Sequence, residues 1–159
     1  MSVRRALSRP DARPAVALLL LAGCAAPPPR AEHPKPDPAR EAWYGQAAGQ
    51  LAALNQQAEA LLKRGRAEDA AAAIAEGQPL QARLLAAPRP TLGAMEAVSD
   101  LDDLYARVLL SNRRDGWARM LYQKNLARWK NWTPPTADTM RRLRQAEAGM
   151  AECDRRLKR

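Results

Sequence analysis

The sequence predicts an all-α fold, an irregular helical bundle of about five helices. Three observations point there. The first is which apolar residues the chain uses. It holds 34 Ala and 21 Leu but only four Val, one Ile and no Phe. Strands need β-branched and aromatic side chains to cover a pleated surface, whereas Ala and Leu are the strongest helix formers. Sandwiches, barrels and doubly wound sheets are therefore excluded. The second is periodicity: apolar residues recur at helical spacing in successive blocks between residues 39 and 157. The third is punctuation. Gly and Pro fall between those blocks, and 159 residues is the length of a single domain.

The elements follow in order. Asp37-Pro38 is a start signal, since Asp caps well and Pro suits the first helical position. From Ala39 to Arg64 no Pro interrupts, and Trp43, Ala47, Leu51, Leu54, Ala58, Leu61 and Leu62 repeat on one face. Gly65 is the expected C-terminal residue. A second helix is expected over Ala67 to Ala86, kinked or split at Gly77 and Pro79. A third begins at Thr91 or, through a Ser99-x-x-Asp102 capping box, at Ser99. It ends near Ser111, with Leu101, Leu104, Tyr105 and Val108 inward. A polar turn over Asn112 to Gly116 leads to a fourth helix, Trp117 to Asn131, with Trp117, Leu121, Leu126 and Trp129 on its stripe. Thr133-Pro134-Pro135-Thr136 breaks it. The fifth, Ala137 to Leu157, carries a near-heptad stripe of Met140, Leu143, Ala146, Met150, Cys153 and Leu157. Without Phe, the Trp and Tyr residues are expected to supply most of the large core volume.

The first 24 residues read as an address. Arg4, Arg5, Arg9 and Arg13 precede an apolar run from Ala15 to Leu21. Extended through Gly23, that run makes roughly 14 Å of helix, about half a hydrocarbon core. It is a signal peptide rather than a membrane span. Its end, Leu21-Ala22-Gly23-Cys24, resembles the lipobox of bacterial lipoproteins. The resemblance implies cleavage between Gly23 and Cys24 and acylation of Cys24, with several chains giving stable anchorage. Ala25 in place of Asp implies, by the same resemblance, the inner leaflet of the outer membrane in a Gram-negative cell, facing the periplasm. The organisation is then a signal peptide (1–23), a lipidated cysteine with a proline-rich tether (24–38) and a helical domain (39–159). Six prolines between Pro27 and Pro38 favour an extended spacer that cannot bury a core.

Leu62-Lys63-Arg64-Gly65-Arg66-Ala67-Glu68-Asp69-Ala70 resembles the centre of a tetratricopeptide repeat, a tight turn leading into an Ala-rich helix. The order of helices and their short turns predicts hairpins pairing 39–64 with 67–86 and 92–111 with 117–131. The equivalent turn of the second pair is expected near Gly116, 51 positions after Gly65, whereas those repeats recur at about 34. The reading is therefore an irregular bundle with hairpins of this local design.

Chemistry-bearing patterns are few. The one His, His33, lies in the tether. Neither a Ser-His-acid nor a Cys-His arrangement is available to the helical domain, and no phosphate-cradling glycine loop is present. No catalytic residue, metal or cofactor is expected. Glu96, Asp100 and Asp103 share one face beside Asp102, read as first-turn acids with Asp103 pairing Arg107 at i+4. Residues 107–159 carry 14 Lys+Arg against 5 Asp+Glu, while residues 24–106 carry 8 against 11. Arg113, Arg114, Arg119, Lys124 and Lys130, interleaved with Trp129 and Trp132, form the candidate interaction surface. Export argues against nucleic acid as its partner. The expected function is a lipid-anchored helical module binding an envelope protein. The alternative is a module contacting peptidoglycan or anionic lipid through the basic, Trp-containing half. Cys153 is expected to be buried, with a homodimer through the 137–157 helix as the other arrangement.

Overall fold

Five α-helices follow a short 3₁₀ turn, Pro38–Arg40. They are α1 (Ala42–Lys63), α2 (Ala67–Leu85), α3 (Leu92–Ser111), α4 (Asp115–Lys130) and α5 (Ala137–Leu157). The structure, a computed structural model, describes residues 37–158. The signal peptide, Gly23, Cys24, the proline-rich tether up to residue 36 and His33 lie outside the described residues. Among the described residues there is no strand, and no helix is long and apolar enough to cross a membrane.

Each helix packs against the next, and α1 also packs on α3. The pairing of α1 with α2 and of α3 with α4 is the pairing expected from the short turns. Cross-helix bonds fix the directions. Tyr44 near the start of α1 donates to the carbonyl of Leu84 at the end of α2 at 3.1 Å, so these two are antiparallel. Trp129 late in α4 reaches Ser99 early in α3, and Arg119 early in α4 reaches Asp154 late in α5. Asn55 of α1 reaches Ala97 of α3, and Glu59, further along α1, reaches Arg107, further along α3, so α1, α3 and α5 run parallel and their C-termini meet at one end of the bundle.

The core is built from small side chains. Ala58, Ala70, Ala106 and Ala118 are fully buried. Alanine hides little area itself, but it lets helix backbones approach so that a few larger residues fill the remaining gaps. Leu51, Ile74, Leu84, Val98, Leu101 and Tyr44 form the main cluster across α1, α2 and α3. Each such aliphatic side chain contributes roughly 1.5–3 kcal/mol on burial. Tyr122 and Cys153 join Ala106 and Ala118 in a second, smaller cluster across α3, α4 and α5.

The two hairpin turns share one geometry. After α1, the Arg66 N–H bonds the Leu61 carbonyl and the Gly65 N–H bonds that of Leu62. After α3, Arg114 bonds Leu109 and Arg113 bonds Leu110 in the same pattern. Both are Schellman motifs, which require a left-handed residue just past the helix. Gly65 (φ 72°) and Arg113 (φ 56°) fill that position.

Several expectations are corrected. The equivalent of Gly65 is Arg113, not Gly116, which lies inside the first turn of α4. α3 starts from Thr91, whose hydroxyl accepts the Ala94 N–H. Ser99 is a buried mid-helix residue rather than a cap. α2 is not split: it runs unbroken through Pro79, with Gly77 lying so close to Leu51 and Leu101 that a Cβ there would meet methyl groups at 2.9 and 3.0 Å. The missing side chain at Gly77 lets α2 pack closely on α1 and α3. α4 begins at Asp115, two residues earlier than expected. Tyr105, Trp117, Met140 and Leu157 are exposed rather than inward. Aromatic residues therefore supply less of the core than the absence of Phe suggests. Tyr44, Tyr122 and Trp129 are buried, and the aliphatic residues do the rest.

Candidate interaction surface

Three acids of α3, Glu96, Asp100 and Asp102, are held by cations from other helices. Asp102, only 3% exposed, accepts from Gln81 at 2.9 Å, Arg128 at 3.2 Å and Lys124 at 3.4 Å. It ties α2, α3 and α4 together. Asp100 pairs with Arg142 of α5, whose guanidinium also lies 4.0 Å from Glu96. Burial lowers the Arg142 pKa. The expected Asp103–Arg107 pair is present but long, at 3.8 Å. Arg107 is held instead by Glu59 of α1 at 2.6 Å.

These pairings decide which candidate residues remain available. Lys124 is engaged with Asp102, and Arg119 with Asp154 at 2.6 Å. Trp129 is a correction: it is 3% exposed, and its indole N–H donates to the Ser99 hydroxyl at 2.7 Å. Trp132 is half-buried and meets the Trp129 ring edge-on, with centroids 6.0 Å apart. Arg113, Arg114 and Lys130 are exposed and make no ion pair among the described residues. Arg114 lines a shallow groove of about 340 Å³ with Tyr105, Leu109 and Trp117. Trp117 is 63% exposed there.

A second feature escaped the sequence reading. The three parallel helices enclose an open cleft of about 370 Å³. α1 contributes Asn55, Gln56 and Glu59; α3 contributes Asp103 and Arg107; α5 contributes Gln145. Asn55 is 5% exposed, donates its amide to the Ala97 carbonyl at 2.7 Å, and leaves its Oδ1 without a partner among the described residues. Burial pushes the Asp103 carboxyl up from its usual range, while the hydrogen bond from Arg107 holds Glu59 down. The cleft thus sets two carboxylates, shifted in opposite directions, beside one shared guanidinium. Its signal in the sequence was Asn55 itself, a polar residue midway between Leu51 and Ala58 on an otherwise apolar stripe. Among the described residues no His, Cys, Asp and Glu group has the geometry to hold a metal.

Cys153 is fully buried on α5, and burial raises its thiol pKa. Comparison of the chain with protein-family models, with curated proteins and with solved structures gave no match.

Proposed function

We propose that this chain is a lipid-anchored, periplasm-facing envelope lipoprotein whose helical domain binds a protein partner. The anchor reading rests on Leu21-Ala22-Gly23-Cys24. The observation that carries the binding reading is the cleft across α1, α3 and α5, where a buried Asn55 acceptor and the Glu59–Arg107–Asp103 group converge. Ligand sites favour concave surfaces with a few converging polar groups. Crosslinking on native membranes followed by mass spectrometry tests it. One stoichiometric protein should be recovered with the wild type. Filling the cleft mouth from the exposed positions, by Gln56→Trp and Gln145→Trp, should abolish that recovery. Unchanged recovery sinks the cleft as the binding site. Globomycin should make an unprocessed precursor accumulate if Cys24 is the acylated residue.

A second reading, contact with peptidoglycan or anionic lipid, is favoured by the exposed Trp117 beside Arg114, which makes no ion pair among the described residues. Binding to purified sacculi or anionic vesicles that vanishes at high salt would support it.

A further inference from the structure

We propose that the end of the bundle where α1, α3 and α5 terminate docks on an anionic lipid surface, with Arg113 and Arg114 meeting headgroup phosphates and Trp117 lying at the acyl boundary. It rests on the anchored-lipoprotein reading only for which membrane is near, and it narrows the second reading to lipid.

Three helix C-termini and the two Schellman turns bring Lys63, Arg64, Arg66, Arg113, Arg114, Arg155, Arg156 and Lys158 to this one end. Part of that charge has a structural use, since cations offset the negative end of a helix dipole. Arg155 and Arg156 also bond Glu152, and Arg66 bonds Asp69. Arg64, Arg113, Arg114 and Lys158 make no ion pair among the described residues. Arg113 is the informative one. It adopts the left-handed conformation that Gly65 fills in the matching turn, and a side chain there is strained. Glycine would fit this turn with less strain, so the turn itself does not account for an arginine here.

Beside these charges lies exposed apolar surface. Trp117 and Met120 are three apart on α4, at 63% and 55% exposure, and Tyr105 of α3 faces the same groove as Trp117. Trp and Tyr next to Arg is the composition of a membrane interface, where amphipathic rings sit at headgroup depth. Polybasic segments are drawn to anionic leaflets. Reach permits the contact. The 12 residues 25–36 have a contour length of at most about 42 Å. The 22 residues of α1 cover only about 33 Å. A linker of that contour length is long enough for the far end to meet the surface. A second attachment then acts at high effective concentration.

The test uses the mature protein, purified in detergent, with Cys24 acylation read from its intact mass. It is reconstituted into phosphatidylcholine vesicles with or without phosphatidylglycerol, both bearing brominated acyl chains. The expected result is tryptophan quenching that is greater in the anionic vesicles, falls at high salt and disappears in Trp117→Phe. Arg113→Gly, which relieves the backbone, and Arg114→Gln should each weaken the anion-dependent part about fivefold. Quenching that ignores lipid charge, or persists in these variants, overturns the proposal. So does binding to purified sacculi that these substitutions abolish while vesicle quenching stays flat, which assigns the surface to the cell-wall polymer. If the mass shows no acyl group, the anchor reading fails separately. The unacylated chain must then float with anionic vesicles in a Trp117- and Arg113-dependent way for docking to stand.

Discussion

Gly149 of α5 lies against the ring of Tyr122 of α4, so close that a Cβ built on Gly149 would come within 2.5 Å of the Tyr122 Cζ. Tyr122 is 4% exposed and buried with Ala106, Ala118 and Cys153. Gly149→Ala gains helix propensity of about 1 kcal/mol but overpacks the α4–α5 contact, which typically costs 1–3 kcal/mol or more. The expected outcome is net destabilisation. Gly49→Ala is the control: a Cβ there meets nothing, so only the propensity gain remains and urea midpoints should rise. A Gly149→Ala variant as stable as wild type would show that the two helices separate easily.

The matched turns make a second pair of opposite expectations. Gly65→Ala places a side chain at φ 72° and should cost about 1–2 kcal/mol. Arg113→Gly removes a side chain from φ 56° and should stabilise by up to about 1 kcal/mol, less the added freedom of the unfolded chain. Thermal unfolding of both variants checks the sign. Equal responses would mean the two turns are not equivalent.

What the sequence made legible follows from what is local. The Ala- and Leu-rich stripes, Gly65 and the Pro clusters gave five helices and their pairing order, because propensity, periodicity and turn chemistry act over a few residues. α5 was placed at 137–157, as observed. Facing was harder. Trp117 and Trp129 both fit the α4 stripe, yet one is exposed and the other buried. With so few apolar residues on α4, spacing alone does not orient it. Partners distant in sequence were not readable at all. Asp102 meets Arg128 across 26 positions and Glu59 meets Arg107 across 48, so Lys124 and Arg119 looked free when both are engaged. Arg113 was missed because the nearby Gly116 offered a more ordinary turn residue.

Asp102 is the residue whose loss should cost most. Its carboxylate is buried, and Arg128 beside it has a side chain only 8% exposed. Asp102→Ala leaves that guanidinium buried without its counter-charge, which typically costs 3–5 kcal/mol. Asp102→Asn keeps the bond from Gln81 and loses the charge, so an intermediate loss is expected. Restoring stability by Asp102→Ala combined with Arg128→Met would confirm that the stranded cation, rather than a cavity, is the cause. Chemical denaturation of the two single variants and the double variant measures it.

Cys153 should behave as an inert core thiol. It is fully buried, and burial raises its pKa, so both access and thiolate fraction are low. Under native conditions its modification by a thiol reagent should be slow and limited by opening of the bundle. In denaturant it should be immediate. A native protein labelled at the rate of a free thiol would mean that α5 detaches readily.

The cleft predicts two opposed effects of pH. Glu59 has a lowered folded-state pKa through its bond with Arg107. Such a group contributes stability that is present above its unfolded pKa and is lost as pH falls through the folded value. Asp103 is shifted the other way, upward by burial. The folded state then binds its proton more tightly than the unfolded state. Its contribution favours folding at acid pH and turns into a penalty as pH rises past the ordinary carboxylate range. Glu59→Gln should therefore lower stability at neutral pH and flatten the acid limb of a stability–pH curve. Asp103→Asn should raise stability at neutral pH, apart from the loss of its long pair with Arg107, and steepen the acid limb. Because both carboxylates face Arg107, the double variant should not be the sum of the two, since residues sharing one partner couple. Denaturation midpoints from acid to neutral pH, for wild type and the three variants, measure it. Parallel curves for all four would mean that neither carboxylate changes its affinity for a proton on folding.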